Sequence, residues 1–254
     1  MKLSFITATY NNLGYTKEML ASFKATVSDE DYEYEYLMVD DGSTDGTRDF
    51  LKTLRNPFKI MINEANSGFA ISNNRAARKA TGDYLVFLNN DLLLTPHWLE
   101  PMLAAFDRFP KTAAVGNIQL NAKTKLIDHA GVFFDLEGLP LHARKKRKRL
   151  PKPPYTEWNA ITAACMILPR ALFLKNGGFD EAYINGSEDI DLCVRLRNEN
   201  YRLFVANKSV IYHHVSTSPG RHLHNDRNTQ RFLQKWQSHT AEWGKTEWPT
   251  EYLS

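Results

Sequence analysis

Tyr36–Thr47 reads YLMVDDGSTDGT: an apolar run as long as a buried strand, two carboxylates, and a turn punctuated by Gly42 and Gly46. Phe50, Leu51 and Leu54 then recur at helical spacing. The same unit lies on either side of it. Leu3–Thr9 reads as a buried strand, with Met19, Leu20, Phe23 and Val27 on the helix that follows. Phe58–Ile62 is a third strand before a helix through Ala70 to Ala80, and Asp83–Leu88 is a fourth. Pro96 is expected to open the next helix, through Trp98, Leu99, Met102, Leu103 and Phe106. Strand–helix alternation with short connections predicts an α/β fold built of βαβ units on a parallel sheet. In such a sheet ligands bind beyond the carboxyl ends of the strands.

Those ends are polar. The first is followed by Thr9, Tyr10, Asn11 and Asn12, the second by Asp40 and Asp41, and the fourth by Asn89, Asn90 and Asp91. Any one such cluster is ordinary turn chemistry; three at one edge point to a site. No GxGxxG, GxxxxGK[ST], GxSxG or HExxH occurs, which removes the usual support for dinucleotide, P-loop, hydrolase-elbow and zincin readings.

The second half is less regular. Ala113–Leu120 is strand-like, Lys125–Asp135 reads as a β excursion, and Ile161–Leu168 is a buried segment ending at Pro169. Glu188–Asn198 reads as a helix with Leu192 and Leu196 inward and Asp191 spaced to pair with Arg195. Leu203–Val205 and Ser209–Tyr212 are short strands, the second running into His213 and His214. A C-terminal helix is expected over Asp226–Trp243.

The 254 residues are 43% apolar with 32 basic and 29 acidic side chains, which excludes global disorder. Two cysteines, Cys165 and Cys193, exclude a disulfide scaffold, and no apolar run is long enough to span a membrane. The N-terminus lacks a signal-peptide pattern, so a cytoplasmic location is expected. Six of the positive charges fall in Arg144–Arg149 (RKKRKR), which leaves the other 248 residues with a net charge of −3. A uniformly basic nucleic-acid binder would not read this way. The run, followed by Pro151, Pro153 and Pro154, is either a solvated loop or a contact for phosphate or an anionic membrane surface at the inner face.

Four segments in order resemble the family 2 inverting glycosyltransferases: ITATYNN (6–12), LMVDDGSTDGT (37–47), NSGFAISNN (66–74) with GDYLVFLNND (82–91), and GGFDEAYINGSEDIDLCVRLRNENYRLFVANKSVIYHH (177–214). NSGFA, LNND and HHVSTS are most similar to the rhamnosyl- and galactofuranosyl-transferase-like branch. The resemblance implies a GT-A, Rossmann-like, mostly parallel sheet flanked by helices, with a small acceptor-side β subregion and a C-terminal helix. One unit over 1–254 is expected, with a donor half (1–120), an acceptor half (121–218) and a helical segment (219–254). It further implies transfer from a nucleotide-sugar donor, UDP- or dTDP-linked, to a saccharide or lipid-linked saccharide in surface polysaccharide synthesis.

The site residues follow from the same resemblance. Asp189 would be the base, with Glu188 orienting acceptor or loop at a helix N-terminus, where the dipole favours negative charge. Asp91 would hold Mn²⁺ or Mg²⁺, with Asn89 or Asn90 touching ribose or a metal-bound water. His213, or His214 as second choice, would complete the metal site; strand alternation sends only one ring there. Asp41 would meet the nucleobase while Asp40 serves the turn, and Thr7, Ala8 and Tyr10 would flank base and ribose. Asn66 and Gly68 begin the loop toward the donor, and Arg75, or Arg78, would approach a phosphate. Trp158 and Asn159 would line the acceptor side. Two rivals remain: a sugar nucleotidyltransferase on a related fold, and a non-catalytic scaffold binding nucleic acid through Arg144–Arg149.

Overall fold

The computed structural model describes residues 1–28, 30–214 and 224–252. The Ser216–Ser218 segment noted above lies outside them. The apolar runs pair as expected: β1 (Lys2–Thr9), α1 (Leu13–Thr26), β2 (Glu33–Asp41), α2 (Thr47–Thr53), β3 (Phe58–Asn63), α3 (Phe69–Lys79) and β4 (Tyr84–Leu88) alternate strand and helix. β1 lies between β2 and β4, and β3 pairs β2, all in parallel.

The second half enters the same sheet by a different route. After β5 (Leu92–Leu93) and α4 (Glu100–Arg108) come β6 (Thr112–Asn121), β7 (Ile127–His129), β8 (Val132–Phe134), β9 (Pro140–His142), β10 (Tyr155–Trp158) and β11 (Cys165–Pro169). Then follow α5 (Arg170–Lys175), α6 (Glu188–Asn198), β12 (Arg202–His213) and α7 (Asn225–Tyr252). The main sheet runs β10-β12-β6-β11-β4-β1-β2-β3, with β5 added to β12 and β7 to β6. β11 is antiparallel to both β4 and β6, while β12 is parallel to β6, so six of the eight strands on this path point one way. The carboxyl ends of β1, β2, β4 and β12 therefore share one edge, and their polar residues meet there.

Three local expectations are corrected. The helix after β4 starts at Glu100, not Pro96, because Leu92–Leu93 is drawn into the sheet against Tyr212–His213 and Thr95 donates to the Val210 carbonyl at 2.5 Å. Trp98 and Leu99 are buried just ahead of it. The two short strands 203–205 and 209–212 are one strand, β12, whose register shifts between Ala206 and Val210. The C-terminal helix extends from Asn225 to Tyr252.

Apolar faces are buried on both sides of the sheet. Phe23 from α1, Leu51 from α2 and Met102 from α4 pack on one face; Ala76 from α3, Phe173 from α5, Leu192 from α6 and Phe232 from α7 pack on the other. α7 is anchored by ring stacking of Phe134 and Phe232 and by Glu247, whose carboxylate accepts from the Phe134 N–H at 3.0 Å and from Asn159 at 2.9 Å. Burial pushes the Glu247 carboxyl up to about 7, against those two hydrogen bonds, which lower it. Its native state therefore holds the proton more tightly than the unfolded chain does. That contribution is complete below the unfolded value and is lost as pH rises through about 7. Thermal melting from pH 5 to 8 is expected to show this fall, and Glu247→Gln to flatten it; an equal slope in the variant removes Glu247 as its source.

Candidate active site

The carboxyl edge opens into a cleft of about 550 Å³. One wall starts with the stitched ends of β1 and β2. Asn11 and Asn12 both take left-handed backbone, the Asn11 N–H donates to Ser43, and Asn11 Oδ1 accepts the Thr44 N–H at 2.8 Å. Asp40 is fully buried and holds Arg48 at 2.8 Å and the Ser43 N–H at 3.3 Å, so it serves the turn. Asp41 lines the cleft, and its carboxylate accepts from Asn63 at 2.8 Å and from the Ser67 and Gly68 N–H groups at 2.9 Å each. It orders the loop carrying Asn66, which also lines the cleft. Gly42 permits that approach: at φ +82°, a Cβ there would stand 2.7 Å from the backbone of Ala65 and Asn66.

Ala8, Tyr10, Asn89, Asn90 and Asp91 also face the cleft. Asn90 donates to the Thr16 hydroxyl at 3.0 Å and the Asn89 N–H to the Ala164 carbonyl at 2.8 Å. Asp91 is buried; its carbonyl accepts the His214 N–H at 2.9 Å, and its Oδ1 lies 3.2 Å from His213 Nε2. Being nine residues ahead of α4, Asp91 is no helix cap. The other face of His213 looks at Asp128, with Nδ1 3.7 Å from Oδ2. Burial alone would depress this imidazole, but the carboxylates of Asp128 and Asp91 outweigh it and push it up to about 9. His214 turns the opposite way, stacking on Tyr15 at 4.5 Å and lying 3.3 Å from Glu18.

The loop 184–187, which also lines the cleft, leads into α6. Asn185 and Ser187 take left-handed backbone, Asn185 Oδ1 accepts the Phe69 N–H at 3.0 Å, and Asn228 of α7 exchanges two hydrogen bonds with the Ile184 backbone. Glu188 is buried and accepts the Gly186 N–H at 2.7 Å. Asp189 lines the cleft half-buried, one oxygen accepting the Ala163 N–H and the other the Ile190 N–H, both at 2.9 Å. Each oxygen keeps a further lone pair.

Several expected residues are not brought here. Thr7 is fully buried, with its hydroxyl 2.7 Å from the Tyr36 hydroxyl. Gly68 contributes only its N–H to Asp41. Arg75 is spent on the Ile62 carbonyl and the Asn63 side chain, and Arg78 pairs with Glu181 on the surface. Trp158 packs in the core against Gly131, where a Cβ would fall 2.2 Å from Nε1, and Asn159 ties Glu247. Conversely, sequence reasoning passed over Gln119, Asp128, His129, His142, Asn185 and Asn228, all of which line the cleft. Lys145, within the basic run, lines it too. For Gln119, Asp128 and His129 only their place in β-like segments hinted at this; Asn185 and Asn228 carried no such signal.

The sequence pattern described as glycosyl transferase family 2 matches residues 4–174, from β1 into α5. The chain belongs to that family. It is 35% identical over 157 residues to the O-antigen biosynthesis protein RfbC of Myxococcus xanthus, covering 58% of this chain but 12% of that much longer one. It is 24% identical over 244 residues to the N-acetylglucosaminyl-diphospho-decaprenol L-rhamnosyltransferase of Mycobacterium tuberculosis, covering 86% of this chain and 78% of that one. Among solved structures, GalNAc-T7 with UDP, GalNAc and Mn²⁺ superposes with a TM-score of 0.74 at 18% identity, over 96% of this chain and 50% of that one. Staphylococcus aureus TarS 1–349 with UDP gives 0.65 at 21%, over 100% and 72%. These neighbours share the GT-A fold. No helix among the described residues of this family 2 chain is long and apolar enough to cross a membrane.

Proposed function

We propose that the chain transfers a sugar from a nucleoside-diphosphate sugar, UDP- or dTDP-linked, to a hydroxyl of a saccharide or lipid-linked saccharide, inverting the anomeric centre. The observation that carries this reading is that Asp41, Asn89, Asp91, His213 and Asp189 line one cleft. In this reading the donor half is 1–120 and the acceptor half 121–218. Asp41 and its loop hold the nucleobase end while Ala8 and Tyr10 flank it. The acceptor hydroxyl attacks the anomeric carbon from the Asp189 side as the bond to the diphosphate breaks, and its proton passes to a free lone pair of Asp189. Glu188 holds the loop that aims it.

Asp91 and His213 fit a divalent cation. Their facing ligand atoms are 3.2 Å apart, close to the roughly 3.0 Å between neighbouring ligands at about 2.1 Å on an octahedral ion. Carboxylate plus imidazole suits Mn²⁺ better than Mg²⁺. Among the described residues no three acidic, His or Cys side chains are grouped to hold an ion alone, so diphosphate oxygens would complete the set. A bound cation would neutralise the departing diphosphate's charge.

Thermal shift with UDP-, dTDP- and GDP-sugars plus Mn²⁺ tests the donor half. Raising UDP or dTDP ligands to about 100-fold above Kd is expected to stabilise the fold by about 2.7 kcal/mol. A response to GDP-sugars alone reassigns the donor; a response to none sinks the reading. A sugar nucleotidyltransferase would want a glycine-rich basic loop after β1, where TATYNN stands.

A further inference from the structure

We propose that the cleft contains a second anion subsite, formed by Lys145 and Gln119, that takes a phosphate carried by the acceptor; this rests on the reading of the cleft as a sugar-transfer site. The basic run is not a free tether. Ile127 of β7 donates its N–H to the Arg147 carbonyl at 2.9 Å and accepts the Lys146 N–H at 2.7 Å, so the run is laid along the edge of β7. Arg144 and Lys146 hold left-handed backbone on either side of Lys145, whose side chain lines the cleft. Such backbone is unfavourable outside glycine, and here the strand-edge bonds impose it.

The charges are unbalanced within the chain. Lys145 Nζ reaches Asp128 only at 4.0 Å, and Asp128 is shared with His213. Among the described residues the other five cations of the run pair with no carboxylate. Six adjacent like charges repel one another, and an anion relieves that repulsion. Gln119 of β6 lines the same cleft at 1% exposure, and its Nε2 has no hydrogen-bond partner. A buried amide donor left unmade in a cleft that also holds a flexible ammonium suits an incoming oxyanion. Both groups line a concave cleft, which suits a phosphate-sized group rather than a flat membrane. The five outer cations then act at a distance, concentrating anionic acceptor at the mouth.

The test is calorimetric binding of N-acetylglucosamine 1-phosphate to the full chain under saturating UDP and Mn²⁺, which keep the donor side filled. Uncharged N-acetylglucosamine is the control, and vesicles of phosphatidylglycerol or phosphatidylcholine are run in parallel. Lys145→Ala is expected to weaken the sugar phosphate at least about tenfold, and Gln119→Leu by a smaller factor of about three to ten. The triple change Lys146→Ala, Lys148→Ala, Arg149→Ala is expected to cost less than Lys145→Ala at physiological salt. Melting curves check that each variant is folded. Equal binding of the charged and uncharged sugars overturns the proposal. So does loss of UDP affinity in Lys145→Ala, which would put Lys145 on the donor, and so does anionic-vesicle binding, lost in the triple variant, with no sugar-phosphate binding. If wild type binds none of UDP, dTDP and GDP in the presence of Mn²⁺, the transfer reading fails first, and the acceptor role fails with it.

Discussion

Asp189→Asn is expected to lower sugar transfer by about 10²–10⁴-fold, the usual worth of a positioned general base. Asparagine keeps the size and one carbonyl oxygen, so the Ala163 N–H at 2.9 Å can still be satisfied. What disappears is an atom able to take the acceptor's proton, together with one acceptor for the Ile190 N–H. Donor affinity is expected to stay within about twofold, because the hydrogen bonds of Asp189 go to the Ala163 and Ile190 N–H groups rather than to the Asp41 loop or the Asn89–Asp91 segment. The measurement is a split of kcat against KM for the donor, with product stereochemistry read by NMR. Undiminished kcat in a folded variant removes Asp189 from the role, and a retained anomeric configuration removes the single displacement.

Stripping divalent metal should be of similar size. A cation on a leaving diphosphate contributes several kcal/mol, and each 1.36 kcal/mol is tenfold, so EDTA is expected to cut transfer by about 10³-fold or more. His213→Ala is expected to weaken Mn²⁺ binding in the presence of UDP, with rate partly restored by excess Mn²⁺. His214→Ala is expected to do neither, since that ring faces Tyr15 and Glu18 instead. Removing His213 also leaves Asp91 and Asp128 facing each other without the imidazole between them, so melting must be followed alongside. Full activity in EDTA would exclude Asp91 and His213 as metal ligands.

The chain's local signals were enough for the first half. Its strands are short apolar runs ending at punctuated turns, and parallel pairing of consecutive βαβ units is a local rule, so β1, β3 and β4 fell within a residue of expectation, while β2 begins three residues ahead of Tyr36. The alternation that sends His213 and His214 apart is equally local. The second half depends on long-range pairing. β11 inserts antiparallel between β4 and β6, and β12 returns beside β6 across some ninety residues. No periodicity encodes such partners.

The same division explains the individual residues. That polar groups would gather at one edge was readable from position along the strands: Asp41 and His213 each end one, Asp91 follows another by three residues, and Asp189 stands in the first turn of a helix. Which polar side chain turns into the cleft and which into its neighbours depends on tertiary contacts. Thr7 found Tyr36, Arg75 found the end of β3, and Trp158 found Gly131, whereas Gln119, Asp128 and Lys145 came to the cleft through β6, β7 and the strand-edge loop. Sequence by itself determined the kind of sheet and the chemistry stored at its carboxyl edge, because strand ends and turns are set within a few residues. The wall built from β6, β7 and the strand-edge loop, and with it the placement of the basic run, was decided only by tertiary structure, because burial and hydrogen-bond satisfaction there join segments far apart in the chain.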